Sequence, residues 1–404
     1  RRLLGDQENE SVTFTYSSQW SATEYTVRDR HRLQRPFVQR MEVHWLSIMN
    51  SVGLVLLLTG FLSIVINRII CKDISRYSKS LEDGEDDEEY GWKLIHGDVF
   101  RFPDHNSLLS AFLGVGAQLL TVCFLLLILS TLGWLYPEQV GSLYSAGIFV
   151  FALASGVAGA VSAGFYKKLQ GEKWARNIIL AATLFAVPVS VVSATADIIA
   201  RFYRSTSALP VSVGIEIFLI WAFVGLPLTI FGGITGRRIV GPFSAPVRTK
   251  NAIREIPPVP FYRQPMFHYI LGGFLPFSAI YIELHYIYES LWGHFVYGLY
   301  GILFIVFIIL LLVTACITIT LTYFQLSTED HRWWWRSFCT GGFTSVYVLG
   351  YSLYYFFVIS NMHGFLQIVK YFSFVAISCY FFFVMLGAVG FYSSLLFVRR
   401  IYAT

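Results

Sequence analysis

Three carboxylates stand where an apolar sequence has least use for them. Asp197, Glu216 and Glu283 each lie in a long hydrophobic run, and each run also holds one internal proline, Pro188, Pro227 or Pro276. An acid inside a membrane-spanning segment is costly unless it is hydrated, paired or used, so these residue types point to proton or cation binding. At about 1.5 Å of helical rise per residue, the acids sit roughly 10 to 16 Å from their prolines. With successive spans alternating in direction, all three fall in the same half of the membrane. Two readings remain open. Gathered together, they form a cation- or proton-binding cluster of a transporter or channel. Apart, they are interfacial acids, hydrated or paired as Asp197 would be with Arg201 one turn on, and only Glu283 needs a partner.

No enzyme chemistry is visible. The chain lacks HExxH, GxSxG and phosphate-loop patterns, and its nine histidines are scattered singly. Its five cysteines show no CxxC or Cys/His spacing, so neither a disulfide framework nor a metal site is expected, and no cofactor is called for. Trp333, Trp334 and Trp335, flanked by Arg332 and Arg336, read as a membrane-interface anchor.

The elements that must position the acids are helices across a bilayer. Of 404 residues, 55% are hydrophobic, 17% aromatic and only 14% charged, with a mean hydropathy of +0.58. Such a chain is too apolar for a soluble domain, and its net charge of +5 lies in short loop clusters rather than in a nucleic-acid-binding face. Nine apolar windows follow one another: Trp45 to Ile70, Ser107 to Trp134, Leu143 to Phe165, Ile178 to Ala200, Val211 to Thr235, Met266 to Tyr288, Phe295 to Phe324, Phe338 to Ile359 and Phe365 to Val398. Each approaches or exceeds the roughly 20 residues a spanning helix needs. The expected fold is an all-α polytopic membrane protein of nine helices over residues 45–404, with the lipid bilayer as its surroundings.

Inside those helices, prolines and glycines set the packing. Pro188, Pro227 and Pro276 each deprive a carbonyl one turn back of its N–H, so a kink or a donor from a neighbour is expected. Gly272 and Gly273 accompany Pro276, and the middle helices are expected to bend inward and face one another. In the third window Ala152, Gly156, Ala160 and Gly164 recur every fourth residue, and Gly232 and Gly236 repeat the pattern in the fifth. Such smooth stripes admit another backbone. They serve packing within one bundle, dimerisation, or a groove for glycine-rich spans of client proteins.

Lys and Arg set the orientation. They crowd alternate loops, as in Lys167, Lys168, Lys173 and Arg176 or Arg237, Arg238, Arg248, Lys250 and Arg254, whereas the opposite loops hold Arg201, Arg204 and Lys370. The crowded side is read as cytosolic, with the C-terminus there and residues 1–44 in the lumen. Arg28, Arg30, Arg32, Arg35 and Arg40 resist this, unless a preceding folded domain carries them across. Val12, Phe14 and Tyr16 alternate with Thr13 and Thr15 in the period of a strand, so residues 1–44 are read as the end of a β-rich luminal domain and its juxtamembrane segment. Asn9 heads the chain's sole N-glycosylation triplet, as an acceptor or by chance. Residues 71–106 form a cytosolic loop with an acidic run from Leu81 to Glu89, read as a solvated linker or a dock for a basic partner.

Five motifs then appear in order: HGDVFR (His96 to Arg101), GVGAQ (Gly114 to Gln118), PVRTKNAIREIP (Pro246 to Pro257), GGFLPF (Gly272 to Phe277) and EDHRWWWRSF (Glu329 to Phe338). Across nine spans they resemble the transmembrane 9 superfamily, the nonaspanins. The resemblance covers essentially the whole chain and implies a large luminal domain before a nine-helix membrane domain. It implies residence in Golgi and endosomal membranes and a role in sorting and surface delivery of other membrane proteins, particularly those with glycine-rich spans. It also implies a Lys-x-Asp signal, read by vesicle coat proteins, in a tail after Thr404. Trp334 departs from the pattern, standing where many members have a polar residue. Oligomeric state is not legible.

Overall fold

The computed structural model describes residues 16–18, scattered positions between 49 and 75, and residues 91–135, 140–206, 208–250, 254–258, 264–292, 300–360 and 362–403. Residues 1–50 and 51–404 are two separate compact units, and the geometry below is that of the second. Asn9, most of the expected strand, the arginines at 28–40 and the acidic run at 81–89 lie outside the described residues.

Eight helices among the described residues are long and apolar enough to span a bilayer. They are α1 (Asn106–Thr131), α2 (Gly141–Lys168), α3 (Trp174–Phe202), α4 (Val211–Ile239), α5 (Pro265–Trp292), α6 (Tyr300–Ser327), α7 (Trp333–Ile359) and α8 (Phe365–Ile401). They answer to the second through ninth apolar windows. In the first window, every described position from 49 to 71 is helical; Val52, Ile69 and Ile70 pack against buried clusters, and Ser63 Oγ lies 3.8 Å from Cys316 Sγ. The chain is an all-α polytopic membrane protein. Large apolar side chains such as Phe223, Phe231, Phe357 and Leu396 cover its exterior.

Between helices in lipid, attraction comes from close packing and hydrogen bonds rather than from water exclusion, so small residues decide which helices meet. The tightest pair is α2 with α4, followed by α1 with α2, α7 with α8, and α5 with α6. The GVGAQ segment of α1 is a junction. A Cβ on Gly114 would strike the Ala158 carbonyl and Ser162 of α2, one on Gly116 would strike Ala388 and Val384 of α8, and Gln118 Nε2 donates to the Phe151 carbonyl at 3.0 Å. Asn177 of α3 is fully buried between Ser162 and Ser107, at 2.8 and 3.1 Å, and ties three helices together.

One end of the bundle is closed by a packed base. Trp333 and Trp334 stack at 4.6 Å between ring centres and are buried with Ile95, Val99, Phe165 and Phe391. Trp333 Nε1 donates to the Val99 carbonyl and Trp335 Nε1 to that of Asp104, both at 2.9 Å. The Tyr402 hydroxyl, just past α8, reaches the Trp92 carbonyl at 2.6 Å. Buried Asp98 accepts Arg101 at 2.6 Å and the Arg254 amide at 3.3 Å, and Lys250 N–H meets the Gly97 carbonyl at 2.9 Å. Buried Asp330 takes Arg336 at 2.6 Å. This corrects the interface-anchor reading: two of the three tryptophans are core residues, because their rings pack against Phe165 and Phe391 of other helices.

Candidate functional site

The small-residue stripe is closed on itself. Buried Ala152 sits where Ser155 Oγ donates to both the Ala152 carbonyl and, across the interface, the Gly225 carbonyl of α4 at 2.8 Å. A Cβ on Gly232 would fall onto the Gly156 carbonyl, one on Gly236 onto Ala160, and one on Gly164 would press Val240 at 3.0 Å. Gly159, absent from the every-fourth-residue count, meets the Thr229 carbonyl most closely of all. At the base end Lys167 Nζ donates to the Arg237 and Val240 carbonyls at 2.8 and 2.7 Å, capping α4 from α2. Backbone lies on backbone here, so no groove is left open along this stripe.

Two of the three prolines find a visible compensation. Pro188 frees the Leu184 carbonyl, and Tyr380 of α8 donates its hydroxyl there at 2.7 Å while its ring stacks on Phe185. Before Pro227, α4 switches to a π-helical turn over Trp221–Gly225, which changes the bonding register where the N–H is missing. Pro276 lies buried within a continuous α5, where Gly272 and Gly273 bring α5 against Thr340 and the Phe343 backbone of α7. There α7 changes course between Gly342 and Thr344.

The carboxylates are not gathered, which overturns the three-acid cluster. Asp197 lies near the end of α3 and accepts Arg201 at 2.8 Å and the Leu209 N–H at 2.6 Å, while Arg201 also reaches the Leu209 carbonyl. It is a local clasp of the α3–α4 connection. Glu216 is exposed on a stretch of α4, Val211–Ile220, that buries no residue at all. Pro188 and Pro227 are likewise exposed, so the middle helices do not all bend toward one another. α4 sits against α2, and α3 against α1, α2 and α8, whereas α5 takes α6 and α7 as its main neighbours.

Glu283 is different. It is 3% exposed and lines a cavity of about 290 Å³ bounded by α1, α2, α5, α6 and α8. The walls are leucines, isoleucines, phenylalanines, Val306 and Met385, with Cys123, Ser130 and Tyr300 as the other polar side chains. Among the described residues none forms a salt bridge with Glu283. Nor do the described residues hold any group of three or more His, Cys, Asp or Glu side chains arranged for a metal ion. Sequence reasoning singled out Glu283 as the acid needing a partner; it had no means of finding the cavity, whose walls come from five helices.

Comparison with known proteins supplies the lineage. The family model for Endomembrane protein 70 matches residues 2–365. Transmembrane 9 superfamily member 4 of Arabidopsis thaliana is 48% identical over 402 residues, covering 99% of this chain and 68% of its own length. Putative phagocytic receptor 1b of Dictyostelium discoideum is 52% identical over the same shares. Transmembrane 9 superfamily member 1 of Bos taurus is 45% identical over 97% of this chain and 66% of the relative. No solved structure matches. Eight apolar spans among the described residues, a motif-built base and identities near one half along almost the whole of this chain place it in the Endomembrane protein 70 family, among the transmembrane 9 superfamily proteins.

Proposed function

We propose that this protein sorts other membrane proteins within Golgi and endosomal membranes, holding a client's glycine-rich span in the bilayer and passing it on for surface delivery. The observation that carries the reading is the nearly unpartnered outer face of α3 and α4. Only 17% and 22% of their most apolar stretches are buried, against 56% in α2. On α3 that face runs through exposed Val187, Pro188, Ser190, Val191, Ser193 and Ala194, and on α4 through Gly214, where a Cβ would meet nothing. Small side chains beside a proline let a second helix come close. The client face is therefore the outside of α3–α4, since the stripe of Gly156 and Gly232 is already filled by the protein's own helices.

The rest of the reading rests on family likeness and charge. The basic base faces the cytosol, residues 1–44 belong to the end of a luminal domain, and a tail beyond Thr404 engages vesicle coats. A relative named as a putative phagocytic receptor fits a protein that handles others on their way to the surface. The test is crosslinking recovery of a glycine-rich reporter span by Ser190→Leu/Ala194→Leu. Recovery should fall several-fold with expression and thermal stability kept; full recovery by the folded variant rejects this face.

A further inference from the structure

The Glu283 cavity carries a ligand specificity of its own. At about 290 Å³ it is roughly twice an engineered cavity that takes up benzene, so it holds about a dozen non-hydrogen atoms. A small molecule with an apolar body fits that space. The wall is aliphatic and aromatic almost throughout, from Leu126 and Leu127 on α1 to Leu310 on α6 and Phe381 on α8. Into it projects one ionisable carboxylate, 3% exposed and without a cation among the described residues.

A buried carboxylate in apolar surroundings is stabilised by a cation that also donates hydrogen bonds, and the attraction is stronger there than in water. An anionic ligand meets like charge, and a neutral one forfeits the charge-assisted bond. Position adds direction. Ser130 is next to last in α1 and Tyr300 is first in α6, whereas Leu310 and Met385 lie deep within their helices. The cavity thus runs inward from the end of the bundle opposite the basic base, so a cation approaching it does not pass Lys167, Arg237 or Arg254. We propose that Glu283 anchors a binding site for a protonated amine carried on an apolar body of about a dozen non-hydrogen atoms. The site is separate from the α3–α4 client face, and either one can fail without the other.

The experiment uses the full chain in phosphatidylcholine nanodiscs, with phenylbutylamine and its isostere phenylbutanol as probes. Binding is read by saturation-transfer NMR and thermal denaturation, with empty nanodiscs subtracted. The amine should bind at least about tenfold more tightly than the alcohol, and Glu283→Gln should erase that preference while leaving alcohol binding in place. Leu303→Trp, which fills the cavity and spares the carboxylate, should weaken both probes, and Asp197→Asn neither. Equal affinities in the unaltered protein, a preference that survives Glu283→Gln, undiminished amine binding by Leu303→Trp, or no saturable amine binding would each overturn the proposal.

Discussion

Tyr380 shows how a single side chain makes a broken helix tolerable. Its hydroxyl occupies the carbonyl that Pro188 leaves bare and binds α8 to α3 from a position almost two hundred residues away in sequence. Tyr380→Phe keeps the ring stacked on Phe185 and removes only that bond, so it should lower stability by about 1 kcal/mol, seen as a reduced melting temperature in detergent. The need for such a donor was legible from Pro188 itself, but the donor's identity was not, because hydrogen bonding across helices leaves no periodicity in either. The same asymmetry holds for the acids. Glu283 was readable as the one lacking company, and Asp197 as a partner of Arg201 one turn on, yet nothing local told that Glu216 would face outward. It does so because no residue of Val211–Ile220 is buried, while the glycines that hold α4 to α2 lie further along the helix.

Those glycines act at the scale of the element. The α2–α4 contact is made of carbonyl oxygens set against Gly159, Gly232 and Gly236, so its tolerance to a methyl group is nil where the glycine is enclosed and complete where it is open. Gly159→Ala should destabilise by about 1 to 3 kcal/mol. Gly214→Ala, with empty space beside it, should be neutral or stabilising by up to about 1 kcal/mol. The measurement is a pair of thermal denaturation curves, and equal effects would mean the interface adapts. Helix positions were readable because an apolar run long enough to cross a bilayer has few alternatives; α4 begins at Val211 as its window does, and α8 begins at Phe365. Partner choice was less so. An every-fourth count caught Gly156 and Gly164 but passed over Gly159, since two helices crossing at an angle touch along alternating steps of three and four.

Across the whole molecule, the base at the charge-rich end joins segments distant in sequence: residues 92–105, residues 243–250 with Arg254, the corner between α6 and α7, and the end of α8. Its centre is the Trp333 ring, wholly enclosed. Trp333→Ala should cost about 3 to 5 kcal/mol and loosen the entire bundle, readable as a large drop in melting temperature together with faster amide exchange at residues 92–105. Four of the five motifs that carry the family likeness contribute to this base or to the α5–α7 contact, and the fifth, GVGAQ, knits α1 to α2 and α8. Their charges and tryptophans mimic a membrane surface in one dimension and become an interior in three. The α2–α4 union also has a consequence in time. On the ribosome, α2 emerges with its bare peptide edge facing lipid, and its partner is made only after α3, on the order of 4 to 15 s later at ordinary elongation rates. Until then the nascent chain displays an unfinished surface, so translation arrest anywhere in α3 should leave a product marked for membrane quality control.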